Sequence, residues 1–277
     1  MKFKLNAVRL IIFALAVFGV ISLPGVAEAS HSWNGYHWAR TANPFTLRVG
    51  NNVTSTWTTE FNTSLSDWSA SSVMNLTSIG GTGGRQCRMT SGTVQVCNRT
   101  YGSNGWLGLA SINITGGVHI TQGSAKMNDT YFNTSTYNNP NEKLHVMCQE
   151  IGHTFGLDHQ STDGSSQNSC MDYFSNTGAN AGSTLSTHPN SHDYAELSSI
   201  YSHLDTFTTL GFAAKLSNPF EDEVSPDSWG RLVSQSKNGR SATYERENWD
   251  GTKKATHVYW TEEAAAVCRG CDHRYAY

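Results

Sequence analysis

Apolar and polar residues alternate in several short stretches of the chain, and this period of two predicts β-strands with one buried face. The stretches lie at residues 44–49, 73–79, 106–114, 118–120 and 126–132. Elsewhere apolar residues recur every three or four positions, as on one face of a helix, at Trp57, Phe61, Leu65 and Trp68. We interpret the residues of this helical face as core and not as a binding stripe.

Two further segments have helical spacing. Residues 140–155 begin with Pro140, which is tolerated in the first turn of a helix, and Gly156 can end the segment in a left-handed conformation. Residues 192–204 predict a closing helix with acidic residues in its first turn, where the helix dipole favours them. Strands, then a helix, then irregular chain and a last helix predict an α+β fold, with helices packed on a twisted mixed sheet.

The start of the chain has the pattern of a secretory signal peptide, with basic residues first, an apolar run over 10–23 and Ala-x-Ala at 27–29. We therefore expect a secreted, extracellular protein without a membrane span after cleavage of residues 1–29. Residues 30–210 are predicted to form the main domain. Residues 211–277 form a C-terminal extension of unknown role, which either docks on the main domain or is loosely ordered.

Charge and cysteine content narrow the class of protein. The formal net charge is −3, and no basic patch points to nucleic acid. Six cysteines in an exported chain favour disulfides over free thiols. Cys87 and Cys97 flank a turn-like sequence, and a bridge across that hairpin is the first pair we expect. Cys268 and Cys271 form a lone Cys-x-x-Cys, which we interpret as a local disulfide or a tail feature because a second pair of zinc ligands is missing.

Residues with zinc-ligand spacing occur between positions 149 and 159. Gln149 and His153 share one face of the predicted helix, and Glu150 follows the first of them. Gly156 then turns the chain back toward His159. A zinc site of the HExxHxxGxxH type needs this layout, but with histidine at position 149.

Glutamine at position 149 leaves three interpretations open. Gln149 binds the metal through its amide oxygen, which is a poorer ligand than imidazole. Alternatively, a water molecule completes a site of His153 and His159, or the metal is lost and the fold is a non-catalytic binding module. His145 does not substitute, because it lies roughly 12 Å from His153 along a straight helix. We favour ligation by Gln149, because the rest of the motif is intact.

Residues 149–173 resemble the metzincin metallopeptidases, and residues 30–205 resemble a matrixin-like catalytic domain. The resemblance rests on the zinc-ligand spacing and on Met171, which falls where metzincins carry a methionine turn beneath the metal. Met171-Asp-Tyr173 is also similar to the Met-x-Tyr of astacin-like and serralysin-like members. That similarity implies that Tyr173 approaches the metal or the reaction oxyanion, although ordinary core packing explains this tyrosine equally well.

Two further expectations follow from the resemblance. Cys148 directly precedes Gln149 and Cys170 directly precedes Met171, so a disulfide between these cysteines would clamp the metal helix to the methionine turn. A short strand segment resembles the edge strand on which these enzymes bind an extended substrate backbone. Its residues are Leu107, Gly108, Leu109 and Ala110.

The activity implied by the resemblance is that of a secreted zinc-dependent metalloendopeptidase with one catalytic ion. Glu150 would accept a proton from water and pass it to the leaving amine, beside the ligands Gln149, His153 and His159. We expect a protein or peptide substrate and a monomeric enzyme. The alternative is a metzincin-fold pseudoenzyme that acts as an extracellular binding module. Structural calcium is common in the family, but no loop is acidic enough to assign it.

Overall fold

A mixed β-sheet forms the body of the computed structural model, which describes residues 30–161, 163–211, 225–267 and 270–275. The strands of these ranges are β1 (His37–Trp38), β2 (Phe45–Asn52), β3 (Met74–Gly80), β4 (Thr93–Arg99), β5 (Trp106–Thr115), β6 (His119–Asn128), β7 (Arg231–Gln235), β8 (Ser241–Glu247) and β9 (Lys253–Trp260). The α-helices are α1 (Thr58–Trp68), α2 (Asp129–Phe132), α3 (Pro140–His153), α4 (Ser191–Ile200) and α5 (Glu262–Val267). This mixed architecture agrees with the predicted α+β class.

The strand order is β3-β2-β4-β6-β5-β9-β8-β7, with β1 paired to β6. The pairs among β1, β2, β3, β4 and β6 are parallel. From β5 onward the neighbours are antiparallel, through β9 and β8 to β7. The C-terminal extension therefore docks on the rest of the chain, because its three strands continue the sheet beyond β5.

β5 is an interior strand of this sheet. The interpretation of Leu107, Gly108, Leu109 and Ala110 as a substrate-binding edge is wrong, since β9 pairs with β5 along its length. The physical reason is that β9 carries buried residues on both faces, so it is stable only when it lies inside the sheet. The apolar pattern of residues 256–260 is strand-like, but it does not identify the partner strand.

Helix α3 begins and ends at residues suited to those positions. The side chain of Asn139 accepts a hydrogen bond from the backbone N–H of Glu142, and Pro140 occupies the first turn. The helix ends at His153. Gly156 follows with a φ of +100°, and a Cβ atom at this position would overlap the carbonyl oxygen of Tyr36. The predicted glycine turn is therefore present, and it redirects the chain toward β1.

The main hydrophobic core lies between the sheet and the helices α1 and α3. The four residues that predicted the amphipathic face of α1 are buried there, which confirms their core role: Trp57, Phe61, Leu65 and Trp68. A second core lies under β5, β9 and β8, where Trp106, Trp229 and Trp260 are each fully buried. One face of the C-terminal strands thus packs in the main core together with α3. The opposite face of the same strands packs in the second core.

Local structure differs from prediction in two places. Residues 126–132 are not one strand: β6 runs on to Asn128, whose side chain then accepts a hydrogen bond from Thr130 N and starts helix α2. Cys87 lies in a turn with a φ of +54° and not in a hairpin strand. Its disulfide with Cys97 is nevertheless formed, as predicted.

Some predictions fall outside the described residues. These are the signal peptide at residues 1–29, Cys268 of the Cys-x-x-Cys pair, and residues 212–224 at the start of the C-terminal extension. Within the described ranges, no helix has the length and apolar character needed to cross a membrane.

Candidate metal centre

Three histidines from distant parts of the chain meet beside α3. His153 lies at the last turn of α3, His159 follows the glycine turn, and His257 lies on β9. One ring nitrogen from each of them falls within 4.8 Å of the others. The ring centroids are 4.0 Å apart for His153 and His257, and 4.6 Å apart for His153 and His159. All three side chains are buried.

Hydrogen bonds orient His153 and His159 toward the centre of this cluster. His153 Nδ1 lies 2.8 Å from the carbonyl oxygen of Leu157, so the neutral ring carries its proton on Nδ1. His159 Nδ1 lies 2.8 Å from Tyr173 Oη and 3.1 Å from a carboxylate oxygen of Asp158. In both residues Nε2 is buried and has no hydrogen-bond partner among the described residues. Each Nε2 therefore presents an unused lone pair, as a metal ligand does.

His257 is brought to the cluster by strand pairing. It lies opposite Ala110 in the β5–β9 register. Its face of β9 also carries Ala255 and Tyr259, which belong to the core shared with α3. The ring bridges two polar groups, because Nε2 lies 3.0 Å from Ser241 Oγ and Nδ1 lies 3.3 Å from Glu150 Oε2.

The carboxylate of Glu150 lies next to the histidine cluster. Its side chain is completely buried, and burial raises the pKa of Glu150 to about 8, against the opposing effect of nearby histidines. Oε2 approaches His257, whereas Oε1 has no hydrogen-bond partner among the described residues. Gly108 of β5 makes room for this carboxylate, because a Cβ atom at position 108 would overlap Glu150 Oε1.

The histidines of the cluster are neutral near pH 7. Burial, with a smaller contribution from the neighbouring imidazoles, lowers the pKa of His153 and of His159 well below the usual value. Burial also lowers the pKa of His257 to about 3. Neutral imidazole is the form that binds a metal ion.

Gln149 contacts the turn that carries Met171. Its amide nitrogen donates hydrogen bonds to the carbonyl oxygens of Cys170 and Asp172, at 3.0 and 2.8 Å. These two contacts fix the orientation of the amide. Its oxygen, Oε1, is buried without a hydrogen-bond partner among the described residues and remains free to accept a hydrogen bond or to bind a metal ion. Ligation by Gln149 therefore stays a prediction. His145 instead stacks on Tyr259, 5.9 Å between centroids, and lies outside the histidine cluster.

A disulfide and a buried methionine attach the turn at Cys170 and Met171 to helix α3. Cys148 and Cys170 form the predicted disulfide. The buried Met171 packs against the helix at Gly152, where an added Cβ atom would lie 2.6 Å from Met171 Sδ. Any side chain larger than hydrogen at position 152 would displace the methionine.

Tyr173 connects two of the histidines. It contacts His159 Nδ1, and its hydroxyl donates to Ser241 Oγ at 2.6 Å, which in turn contacts His257. The hydroxyl is buried, and burial raises the pKa of Tyr173. Tyr173 therefore orients two imidazoles of the cluster in this conformation.

These residues could hold a metal ion. Two orphaned imidazole nitrogens, a third imidazole and a carboxylate lie within one buried cluster, and all are donor types that bind metal ions in proteins. Sequence reasoning missed His257 and Ser241, which lie about 100 and 90 positions beyond α3 in the chain. The available signal was a single histidine within an apolar strand, at a position whose i−2 and i+2 neighbours, Ala255 and Tyr259, are also core residues.

No protein-family model matches the sequence, and no curated protein matches it either.

Proposed function

We propose that the chain is a zinc-dependent hydrolase of the metzincin type, acting on peptide bonds, in which His257 supplies the imidazole that position 149 lacks. The observation that carries the proposal is the cluster of His153, His159 and His257, with the carboxylate of Glu150 at 3.3 Å from the last of them. Three neutral imidazoles form a stronger zinc site than two imidazoles and an amide. The order Glu150, His153, Gly156 and His159 agrees with the metzincin spacing.

Each residue of the centre has a separate role in the proposed reaction. Zinc bound by the three imidazoles would supply Lewis-acid chemistry, which polarises a carbonyl and makes water more acidic. Glu150 receives a proton from water and returns it to the leaving amine, which requires the ionised carboxylate. Burial raises the pKa of Glu150 to about 8, and a cation held by the three imidazoles would lower it again. Tyr173 and Ser241 hold the histidine rings in place.

Strand β9 also restricts how a substrate could bind. An extended peptide cannot pair with β5 while β9 occupies the same hydrogen-bonding edge. Hydrolysis of a peptide at this centre thus requires that the β8–β9 hairpin move away from β5 or that the peptide approach from another direction. The buried centre and the covered strand favour a second candidate function, a non-catalytic module in which the metal only stabilises the fold.

Zinc content and casein hydrolysis of purified variants test the proposal. Wild type is expected to hold zinc and to hydrolyse casein, whereas Glu150→Gln keeps the zinc and loses at least about 100-fold in rate. His257→Ala is expected to lose the zinc of this centre and the activity together. His188→Ala serves as the matched control, because that imidazole is half exposed and pairs with Asp67 away from the cluster.

The same set of variants separates the alternatives. If Gln149→Ala loses zinc and His257→Ala retains it, Gln149 is the ligand and His257 is only a neighbour. If His257→Ala hydrolyses casein faster than wild type does, β9 occupies the place at which the substrate binds. If the wild-type protein binds zinc but hydrolyses casein and mixed peptides no faster than Glu150→Gln does, the result favours the non-catalytic module.

A further inference from the structure

A second group of histidines lies around Asp205, apart from the residues of the first centre. His37 begins β1, and its register partner in the sheet is His119 at the start of β6. His203 and Asp205 lie in the segment that follows α4. Three elements that are distant in sequence thus converge on one carboxylate.

The distances among these groups are short. His37 Nε2 and His203 Nε2 are 3.2 Å apart. Asp205 Oδ1 lies 3.7 Å from His37 Nε2, 3.9 Å from His203 Nε2 and 3.2 Å from His119 Nε2. His37, His203 and Asp205 meet the mutual spacing of a metal-ligand set. Ligands at 2.0–2.1 Å from a tetrahedral zinc ion are separated by about 3.4 Å from one another, close to the distances between these atoms.

Other contacts orient the donor atoms toward a common point. His37 Nδ1 lies 2.8 Å from the carbonyl oxygen of Gly35, so the neutral ring carries its proton there and presents the Nε2 lone pair to the cluster. The other carboxylate oxygen of Asp205, Oδ2, accepts hydrogen bonds from the backbone N–H and the guanidinium of Arg40, both at 3.1 Å. Oδ1 is therefore left to face the imidazoles.

Hydrogen bonds link these atoms when no cation is present. His37 Nε2 and His203 Nε2 lie 3.2 Å apart, so the N–H of one ring can donate to the other, and His119 Nε2 lies 3.2 Å from Asp205 Oδ1. A divalent cation at the same place would instead bind the Nε2 lone pairs of both rings and Asp205 Oδ1, whose ligand atoms all lie within 4.8 Å of one another.

We propose that His37, His203 and Asp205 bind a second divalent metal ion, with zinc as the ion that two imidazoles and a carboxylate fit best. His119 holds Asp205 Oδ1 from the side as a positioning residue. The ion fastens β1 to the segment after α4, next to the contact in which the Arg40 guanidinium donates to the carbonyl oxygen of His203. Its role is structural, and it is exchangeable because the His203 side chain is 51% exposed.

Metal counting on the full-length protein tests this site. Protein stripped with a chelator and dialysed against zinc is expected to hold two ions per chain, as measured by elemental analysis. His203→Ala and His37→Gln should each hold one, with at least about 100-fold weaker binding of the other ion in a zinc titration and unchanged casein hydrolysis. His119→Ala should weaken the same site by roughly 10- to 100-fold, as loss of a supporting contact does. His188→Ala, an exposed histidine outside both clusters, should retain two ions.

The outcomes separate this site from the first centre. Loss of one ion in His203→Ala, while His257→Ala loses a different one, supports both sites. Loss in His203→Ala without loss in His257→Ala supports this site and opposes the proposed catalytic ligand set. Unchanged zinc content and affinity in His203→Ala overturn the inference. That variant gives a usable answer even if His37→Gln fails to fold, because His203 is half exposed on a surface turn.

Discussion

Acid should destabilise the metal-free protein steeply, because the cluster of His153, His159 and His257 is buried in its neutral form. Each histidine has a folded-state pKa below the value of 6.5 that it has when unfolded. Between about pH 5 and 6 the unfolded chain therefore binds up to three protons that the folded chain excludes. A depressed histidine pKa contributes stability that is present above pH 6.5 and is lost as the pH falls below it.

Glu150 opposes part of this effect. Its pKa is raised from 4.5 to about 8, so between these values the folded chain holds one proton that the unfolded chain lacks. The four groups together leave an excess of about two protons on the unfolded chain. Each proton changes the free energy of unfolding by about 1.4 kcal/mol per pH unit, so the loss is about 3 kcal/mol per unit between pH 6 and 5. Two more histidines with lowered pKa values, His37 and His273, add to this loss, and two buried carboxylates with raised values oppose it: Glu142 and Asp193.

Urea unfolding of chelator-treated protein at several pH values measures this slope directly. His257→Asn removes one of the three histidines and should reduce the slope by about 1.4 kcal/mol per pH unit. His188→Ala should leave it unchanged, since that side chain is half exposed. A free energy of unfolding that stays flat from pH 6.5 to 5 in wild type would refute the reasoning, because the three imidazoles would then not be buried together.

Two structural replacements give further checks. Gly156→Ala is expected to lower the free energy of unfolding by about 3 kcal/mol, because φ is +100° and the new Cβ atom would overlap the carbonyl oxygen of Tyr36. Gly182→Ala, with open space around it, is the control in the same urea assay. Equal stability of the two variants would contradict this explanation. Replacing Cys148 and Cys170 together by serine should cost about 3 kcal/mol, since their bridge spans 22 positions of chain, and an unaltered unfolding midpoint would show that the bridge does not constrain the unfolded state.

Local features of the sequence predicted a large part of the centre. The spacing of Glu150, His153 and His159 depends on one helix and one glycine turn, and both are set by residues next to one another in the chain. The capping Asn139 and the positive φ of Gly156 bear this out. The two disulfides could also be predicted from the sequence. Each pair of cysteines lies close to a turn or helix that the pattern of apolar and polar residues had already located.

The third imidazole could not be predicted in this way. His257 joins the cluster only because β9 pairs with β5, and that pairing depends on long-range burial of both faces of β9. A short apolar run in the sequence does not show which other strand it pairs with. The same long-range pairing changed the interpretation of Gly108, which was expected at an open edge and is instead a point where the sheet makes room for Glu150.

The place of His257 along the chain also affects when the proposed centre can exist during synthesis. Glu150 and His257 are separated by 107 positions. At roughly 5–20 residues per second, the ribosome delivers β9 about 5–20 seconds after the helix that carries the base. Throughout that interval the growing chain holds a carboxylate and two imidazoles but lacks the third. Under the proposed ligand set, a chain therefore becomes a hydrolase only after it has been elongated through β9, and a prematurely terminated chain remains inert.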